Sequence, residues 1–285
     1  YANSSSRIDS IRSGFALMLL PLHDDNPLKN IRFPYVTVGA IAVCVAVFGY
    51  QLSLGGRSDQ AFILGFGAIP AVVFGLVALP EELAWIPGWL TLVTSMFLHG
   101  GFMHLLGNML FLWVLGDNIE DALGHKRFVA FYLLCGVGAA LAHGLMDPAS
   151  TVPMIGASGA ISGIIGAYLM LHPKARIKTL VSYFIVWLPA WVVLGLWIGF
   201  QFLAISGGGG GGVAWWAHVG GFFAGVILIV PMRQKGVPLF DRGRKKFELK
   251  LGFEKAPKRA SRSAIPDSGK PGGKRFGRRR GPWGK

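Results

Sequence analysis

The chain has 285 residues, of which 52% are hydrophobic and 15% are charged, and its formal net charge is +14. Soluble domains average about 25% charged residues, so this composition excludes an ordinary soluble enzyme and favours a polytopic membrane protein. The positive charge is confined to one end. Residues 1–232 contain ten basic and ten acidic residues, whereas residues 233–285 contain 18 basic and four acidic residues.

Apolar runs long enough to form membrane helices recur along the chain. About 20 apolar residues cross a bilayer, and six runs approach or reach that length: 36–54, 102–115, 128–146, 155–171, 180–205 and 213–232. A further apolar stretch, 61–79, is interrupted by glycine and proline and is predicted to be a loop in or on the membrane. The predicted fold class is therefore all-α, with six transmembrane helices. Cys44 and Cys135 lie inside two of these runs and are expected to be free thiols.

Basic residues orient the six predicted spans. They precede the first span, separate the second from the third and the fourth from the fifth, and fill the C-terminal end. The positive-inside rule then predicts that both termini are cytoplasmic. Residues 1–33 form a short cytoplasmic segment in this scheme, and residues 34–232 form the membrane domain.

Residues 233–285 are predicted to be a basic, disordered cytoplasmic tail. Their Lys, Arg, Gly, Pro and Ser cannot bury a core. Anionic lipid is the expected partner of such a tail beside the bilayer, and nucleic acid is not expected.

Four polar side chains are predicted to meet at one depth of the membrane. His104 and Asn108 are one helical turn apart at the start of the second span, Ser158 begins the fourth, and His218 lies near the start of the sixth. These three spans all run from outside to inside, so their first turns lie just below the outer surface. A serine, a histidine and two hydrogen-bond donors form the inventory for acyl transfer: a nucleophile, a general base and oxyanion donors.

Glycines on two of these spans allow the required contact. Gly159 and Gly163 on the fourth span, with Gly221 and Gly225 on the sixth, form the small-xxx-small pattern that lets helix backbones approach closely. Ser158 and His218 can be hydrogen-bonded only if these two helices nearly touch.

Other interpretations of the same residues stay open. A serine near a helix start often caps the helix or bonds back to a carbonyl, and an intramembrane histidine is often a structural hydrogen-bonder. The histidines could also bind a metal, with candidates His99, His104, His143 and His218. The sequence has no HExxH motif and no intramembrane carboxylate near them, so neither a metal nor another cofactor is expected.

Three motifs in order, HGGFMHLLGNM (99–109), GASG (156–159) and AHVGG (217–221), resemble the rhomboid family of intramembrane serine proteases. The resemblance implies a dyad of Ser158 as nucleophile and His218 as general base. It also implies an oxyanion hole formed by the Ser158 backbone N–H with the side chains of His104 and Asn108. Glu120 would brace the turn between the second and third spans. Transmembrane protein substrates would be cleaved near the outer membrane face, without metal or nucleotide.

The resemblance carries further expectations and one departure. The fifth span would be a side gate, and the glycine loop 207–212 would cap the active-site cavity. Some members stack an aromatic residue, four positions after the nucleophile, on the catalytic histidine, but this chain has Ser162 there. The alternatives are an inactive rhomboid-like protein that binds transmembrane helices, and a transporter or channel. Short loops and the lack of an appended folded domain suggest a bacterial inner membrane.

Overall fold

The computed structural model describes residues 19–206 and 214–241. The predicted glycine cap at 207–212 and the predicted disorder of residues 242–285 lie outside these residues. So does most of the segment 1–33.

The described ranges contain nine α-helices and three strands. In chain order they are β1 (Leu19–Asp24), α1 (Tyr35–Leu54), α2 (Gly56–Phe66), α3 (Pro70–Val73), α4 (Thr91–Thr94), α5 (Phe102–Leu123), α6 (His125–Met146), α7 (Ser158–Leu171), β2 (Arg176–Val181), β3 (Phe184–Pro189), α8 (Ala190–Ser206) and α9 (Trp215–Met232). Two 3₁₀ turns, Gly88–Leu90 and Ser95–Phe97, flank α4. The segment that was predicted to be a loop within 61–79 is thus built largely from the short helices α2 and α3.

Helix length supports an integral membrane protein. Four helices, α1, α5, α6 and α9, are long and apolar enough to cross a membrane. The apolar helices α7 and α8 have 14 and 17 residues. At a rise of 1.5 Å per residue they extend over only about 21 and 25 Å of a hydrocarbon core of about 30 Å. Length alone therefore identifies four spans among the described residues and leaves the predicted count of six as a proposal.

The described residues are mostly helical, as predicted, but the fold is not all-α. Strands β1, β2 and β3 form an antiparallel sheet in that order, and β2 and β3 are joined by a tight turn in which Ser182 has a φ of 57°. The predicted fifth span, 180–205, therefore begins as strand, and only its second half is helix. Hydropathy cannot separate a strand from a helix in a short apolar run. The β-branched residues of this segment, such as Val181, Ile185 and Val186, favour the strand.

The predicted tail starts at residue 233, and the structure describes its first nine residues. The chain from 233 to 241 packs back on the helices through backbone hydrogen bonds. Gln234 N–H donates to the Ala122 carbonyl at 2.9 Å, Phe240 N–H to Met170 at 2.7 Å, and Asp241 N–H to Leu171 at 2.8 Å. These bonds occupy carbonyls at the ends of α5 and α7, which have no partner within their own helices.

Helix α7 lies at the centre of the membrane domain, and 11 of its 14 residues are buried. It packs against α5, α6 and α9. A Cβ atom on Gly221 of α9 would meet the Gly159 carbonyl, and one on Gly225 would meet the backbone of Gly163, both at under 3.0 Å. The two backbones touch along these glycines because no side chain separates them. Cys44 and Cys135 are buried and free, as predicted.

Candidate active site

The close approach of α7 and α9 brings Ser158 and His218 together. Ser158 is the first residue of α7, and His218 lies in the first turn of α9. The distance between Ser158 Oγ and His218 Nε2 is 2.9 Å, which is a normal hydrogen-bond length. A nucleophile and a base within hydrogen-bond reach are the geometric requirement for activating a serine.

Ser158 and Ser162, one helical turn apart on α7, form different hydrogen bonds. Ser162 is completely buried, and its hydroxyl donates to the Ser158 carbonyl at 2.6 Å, one helical turn back. This is the local bond that serines in helices commonly form. Ser158 Oγ is instead directed at an imidazole on another helix. The interpretation in which a serine bonds back to a carbonyl therefore describes Ser162 and not Ser158.

The other side of the His218 ring is held by residues that the sequence analysis missed. His218 Nδ1 lies 2.7 Å from Oε1 of Gln201, which is 3% exposed. The rings of Trp197 and Trp215 lie against the imidazole, with centroids 5.6 and 6.1 Å from it. A sequence signal existed: Gln201 is a lone amide in an apolar helix, four residues after Trp197, so both lie on one helical face.

Asn108 has a side-chain donor that lacks a hydrogen-bond partner among the described residues. The residue is 7% exposed, and its Nδ2 has no hydrogen-bond partner among the described residues. A buried amide without a partner costs free energy, so it needs an explanation such as a bound ligand or a catalytic role. Both Asn108 and Ser158 line the same cavity.

The side chains of His104 and Asn108 converge beside Gly156, to which the sequence analysis gave no role. Gly156 has a φ of 117°, and a Cβ atom there would lie 2.7 Å from His104 Nε2 and 3.5 Å from Asn108 Nδ2. His104 Nε2 and Asn108 Nδ2 therefore both lie close to the backbone of Gly156, two residues before Ser158. Gly100 N–H donates to His104 Nδ1 at 3.4 Å, which leaves the proton of the neutral ring on Nε2, the atom that faces Gly156.

Two further features lie beside these residues: the N-terminus of α7 and the ring of His99. Ser158 starts α7, and the first backbone N–H groups of a helix have no partner within it and carry its partial positive charge. The ring of His99 lies edge-on to that of His104, with centroids 5.2 Å apart. Burial, reinforced by His104, lowers the pKa of His99 to about 4, so His99 packs there as a neutral ring at pH 7.

These groups open into one cavity of about 590 Å³. Its wall includes the four predicted site residues and, among others, Trp197 of α8. The cavity volume is typical of sites that enclose a small ligand or a short peptide segment. Neither His99 nor His143 lines it. Among the described residues, no group of three or more His, Cys, Asp or Glu side chains is arranged to hold a metal ion.

Glu120 lies far along α5 from this cavity and is fully buried. Its carboxylate accepts hydrogen bonds from the backbone N–H groups of Val36 and Thr37 at 3.0 and 2.8 Å, and from the Thr37 hydroxyl at 2.7 Å. It also contacts the imidazole of His125, which starts α6. Glu120 thus joins the turn between α5 and α6 to the N-terminus of α1, where backbone donors are otherwise unpaired.

Comparison with known proteins decides the family. Residues 86–235 match the family model described as the Rhomboid domain, which is more than half of the chain. The chain belongs to the rhomboid family.

Its relatives include named proteases. It is 34% identical over 138 residues to RHOMBOID-like protein 5 of Arabidopsis thaliana, with 48% of this chain and 42% of that protein covered. It is 32% identical over 201 residues to Rhomboid protease GluP of Bacillus subtilis (strain 168), with 70% of this chain and 36% of that protein covered. It is 29% identical over 180 residues to Rhomboid protein 1, mitochondrial, of Saccharomyces cerevisiae, with 56% and 49% covered.

The chain spans less than half the length of each of these relatives. They come from a plant, a bacterium and a yeast mitochondrion, so they do not support the predicted bacterial inner membrane.

Proposed function

We propose that this chain is an intramembrane serine endopeptidase that cleaves transmembrane segments of membrane proteins with a Ser158–His218 dyad. The observation that carries the proposal is the 2.9 Å contact between Ser158 Oγ and His218 Nε2 at the wall of a cavity. The unpaired Nδ2 of Asn108, which lines the same cavity, supports it.

Each step of acyl transfer can be assigned to a group at this cavity. His218 Nε2 takes the proton of Ser158 Oγ as that oxygen bonds to the substrate carbonyl carbon. The negative charge then develops on the carbonyl oxygen, where the Ser158 N–H, His104 Nε2 and Asn108 Nδ2 can donate hydrogen bonds. His218 returns the proton to the leaving amine as the peptide C–N bond breaks. A water molecule then attacks the acyl carbon while His218 takes its proton. The ester C–O bond to Ser158 breaks, and His218 returns that proton to Ser158 Oγ.

The orientation proposed for the chain is the one that the basic residues favour. In that scheme α7 and α8 also cross the membrane, both termini are cytoplasmic, and cleavage occurs near the outer face. The membrane protease domain would occupy residues 34–232, and the basic end of the chain would contact anionic lipid. Because the relatives differ in compartment, we propose no specific membrane for it.

Fluorophosphonate labelling of the purified protein in mild detergent tests the proposal. This reagent phosphonylates an activated serine, so the wild-type chain should be labelled and both Ser158→Ala and His218→Ala should not. Ser158→Ala should keep the wild-type melting temperature, because within the described ranges the Ser158 hydroxyl bonds to His218 alone. Labelling that persists in Ser158→Ala would refute the nucleophile assignment.

The alternative is an inactive rhomboid-like protein that binds transmembrane helices. The close contact of Ser158 with His218 argues against it, since binding alone requires neither group. A well-folded wild-type protein that resists fluorophosphonate would favour this alternative.

A further inference from the structure

We propose that Gln201 of α8 is a positioning residue that fixes the tautomer and orientation of His218. This is the role that an aspartate has in a Ser-His-Asp triad. This inference rests on the proposed function, because it concerns how the dyad is kept ready for proton transfer. It depends on three observations: the contacts of the Gln201 amide, its burial, and the aromatic residue on the same face of α8.

The orientation of the Gln201 amide follows from its two partners. Its Nε2 lies 3.0 Å from the Trp197 carbonyl oxygen, which can only accept a hydrogen bond. The NH₂ group must therefore point to Trp197, and Oε1 must point to His218, 2.7 Å from Nδ1. The reversed amide would set two oxygens against each other at the Trp197 carbonyl.

This orientation determines where the imidazole proton resides. Oε1 can only accept, so Nδ1 of His218 must be the donor and carries the proton of the neutral ring. The lone pair is then on Nε2, 2.9 Å from Ser158 Oγ. Only this tautomer can take the serine proton. Gln201 therefore selects the reactive form of the base and supplies the second hydrogen bond that an imidazolium needs during the reaction.

Helix α8 also holds the face of the ring. Trp197, one turn before Gln201, lies against His218 with its centroid 5.6 Å away. At the position on α7 where some family members place an aromatic residue over the histidine, Ser162 points to a backbone carbonyl instead. In this chain one of the two aromatic contacts to the ring and the Nδ1 acceptor both come from one face of α8.

Burial explains why a glutamine suits this position. Gln201 is 3% exposed, and an amide buried without hydrogen bonds is costly. Its oxygen and its nitrogen both have partners here. A carboxylate could also accept from Nδ1, but it would bring a negative charge into the membrane domain, where ionised side chains cost free energy. A neutral amide orients the base without that penalty.

Fluorophosphonate inactivation kinetics of the full chain in detergent test the inference. Gln201→Met keeps the length of the side chain but removes the acceptor. We expect the maximal inactivation rate to fall by about 10- to 100-fold with little change in the half-saturating reagent concentration, since a positioned base contributes about 10²–10⁴-fold. Gln201→Glu, which accepts from Nδ1 in either protonation state, should recover the rate to within a few-fold. The matched control is Leu203→Met, because Leu203 of α8 is 72% exposed.

The outcomes separate this inference from the proposed function. Wild-type labelling with equal rates in Gln201→Met would overturn the positioning role and leave the protease assignment intact. Equal losses in Gln201→Met and Gln201→Glu would show a packing role only, and would overturn it as well. Failure of the wild type to label would remove the proposed function, and this inference with it.

Nuclear magnetic resonance of the wild-type chain labelled with ¹⁵N-histidine gives a test that needs no Gln201 variant to fold. The His218 signals, assigned by their loss in His218→Ala, should show a proton on Nδ1 and none on Nε2 at neutral pH. A proton on Nε2 would contradict the proposal.

Discussion

The two ends of helix α5 carry polar residues in opposite states. At its C-terminal end, the Asp121 carboxylate accepts hydrogen bonds from the backbone N–H groups of Lys29, Asn30 and Ile31 at 2.6–3.0 Å. Asn118 Nδ2 donates to Asp24 at 3.0 Å. These groups are satisfied, and they fasten the N-terminal segment to the helix.

The N-terminal end of α5 is arranged differently. Asn108 Nδ2 has no partner among the described residues, and His104 directs its Nε2 to the cavity beside Gly156. Both sets of polar groups lie on the same helix. Helix packing alone therefore does not explain why the groups at one end have hydrogen-bond partners and Asn108 at the other end does not. Satisfied groups stabilise the fold, whereas an unpaired donor at a cavity is available to a ligand, as the proposed function requires. Substitutions at the two ends should therefore separate stability from activity.

The largest effect is expected from Glu120→Ala, which affects stability. Removing this fully buried carboxylate leaves the N–H groups of Val36 and Thr37 without an acceptor, at a cost of about 3–5 kcal/mol. Thermal unfolding in detergent should show a strongly lowered melting temperature or no folded protein. A normal melting temperature would contradict the bracing role of Glu120.

Asn108→Ala should do the reverse. Because its Nδ2 is unpaired, truncation should leave the melting temperature unchanged or raise it slightly. The rate of fluorophosphonate labelling should fall by about 10²-fold, the usual cost of losing one oxyanion donor, and by less than in Ser158→Ala. A large drop in melting temperature with unchanged labelling would place Asn108 among the structural residues instead.

A smaller loss is expected from Gly156→Ala. A methyl group here would require strain at a φ of 117° and would push against the His104 ring. Labelling should fall by about 10-fold, since one displaced donor costs less than its removal. Gly49→Ala, at a site on α1 with open space around it, is the control. Equal labelling in the two variants would show that His104 is not needed at its observed position.

The smallest effect, and a dependence on pH, is expected from Asp24→Asn at the satisfied end. Burial raises the pKa of Asp24 from 3.8 to about 7, although the hydrogen bond from Tyr168 opposes the shift. The folded state then holds this proton more tightly than the unfolded state, so Asp24 should reduce stability progressively as pH rises from about 4 to about 7.

The asparagine oxygen can still accept from Asn118 and Tyr168. Asp24→Asn should therefore raise the melting temperature at pH 8 by a few degrees and leave it nearly unchanged at pH 4. Melting curves at the two pH values check this expectation. An equal shift at both would mean that the charge of Asp24 is not responsible.

The sequence by itself determined the class of protein and pointed to the main candidate site residues. Composition required a membrane protein, and the starts of three helices carried Ser158, His218, His104 and Asn108. These features are local: hydropathy and helical spacing are properties of neighbouring residues in the chain. The three motifs also led to the rhomboid family, which the match over residues 86–235 established.

Only the tertiary structure decided the features that depend on distant segments. The sheet needs β1 to pair with β2 across more than 150 residues, so an apolar run alone was mistaken for helix. The chain from 234 to 241 packs against the ends of α5 and α7 because carbonyls there accept its N–H groups. Gln201 and Gly156 gain their significance only from the imidazoles that face them. Such contacts follow from how the helices pack, which residue spacing along one helix does not specify.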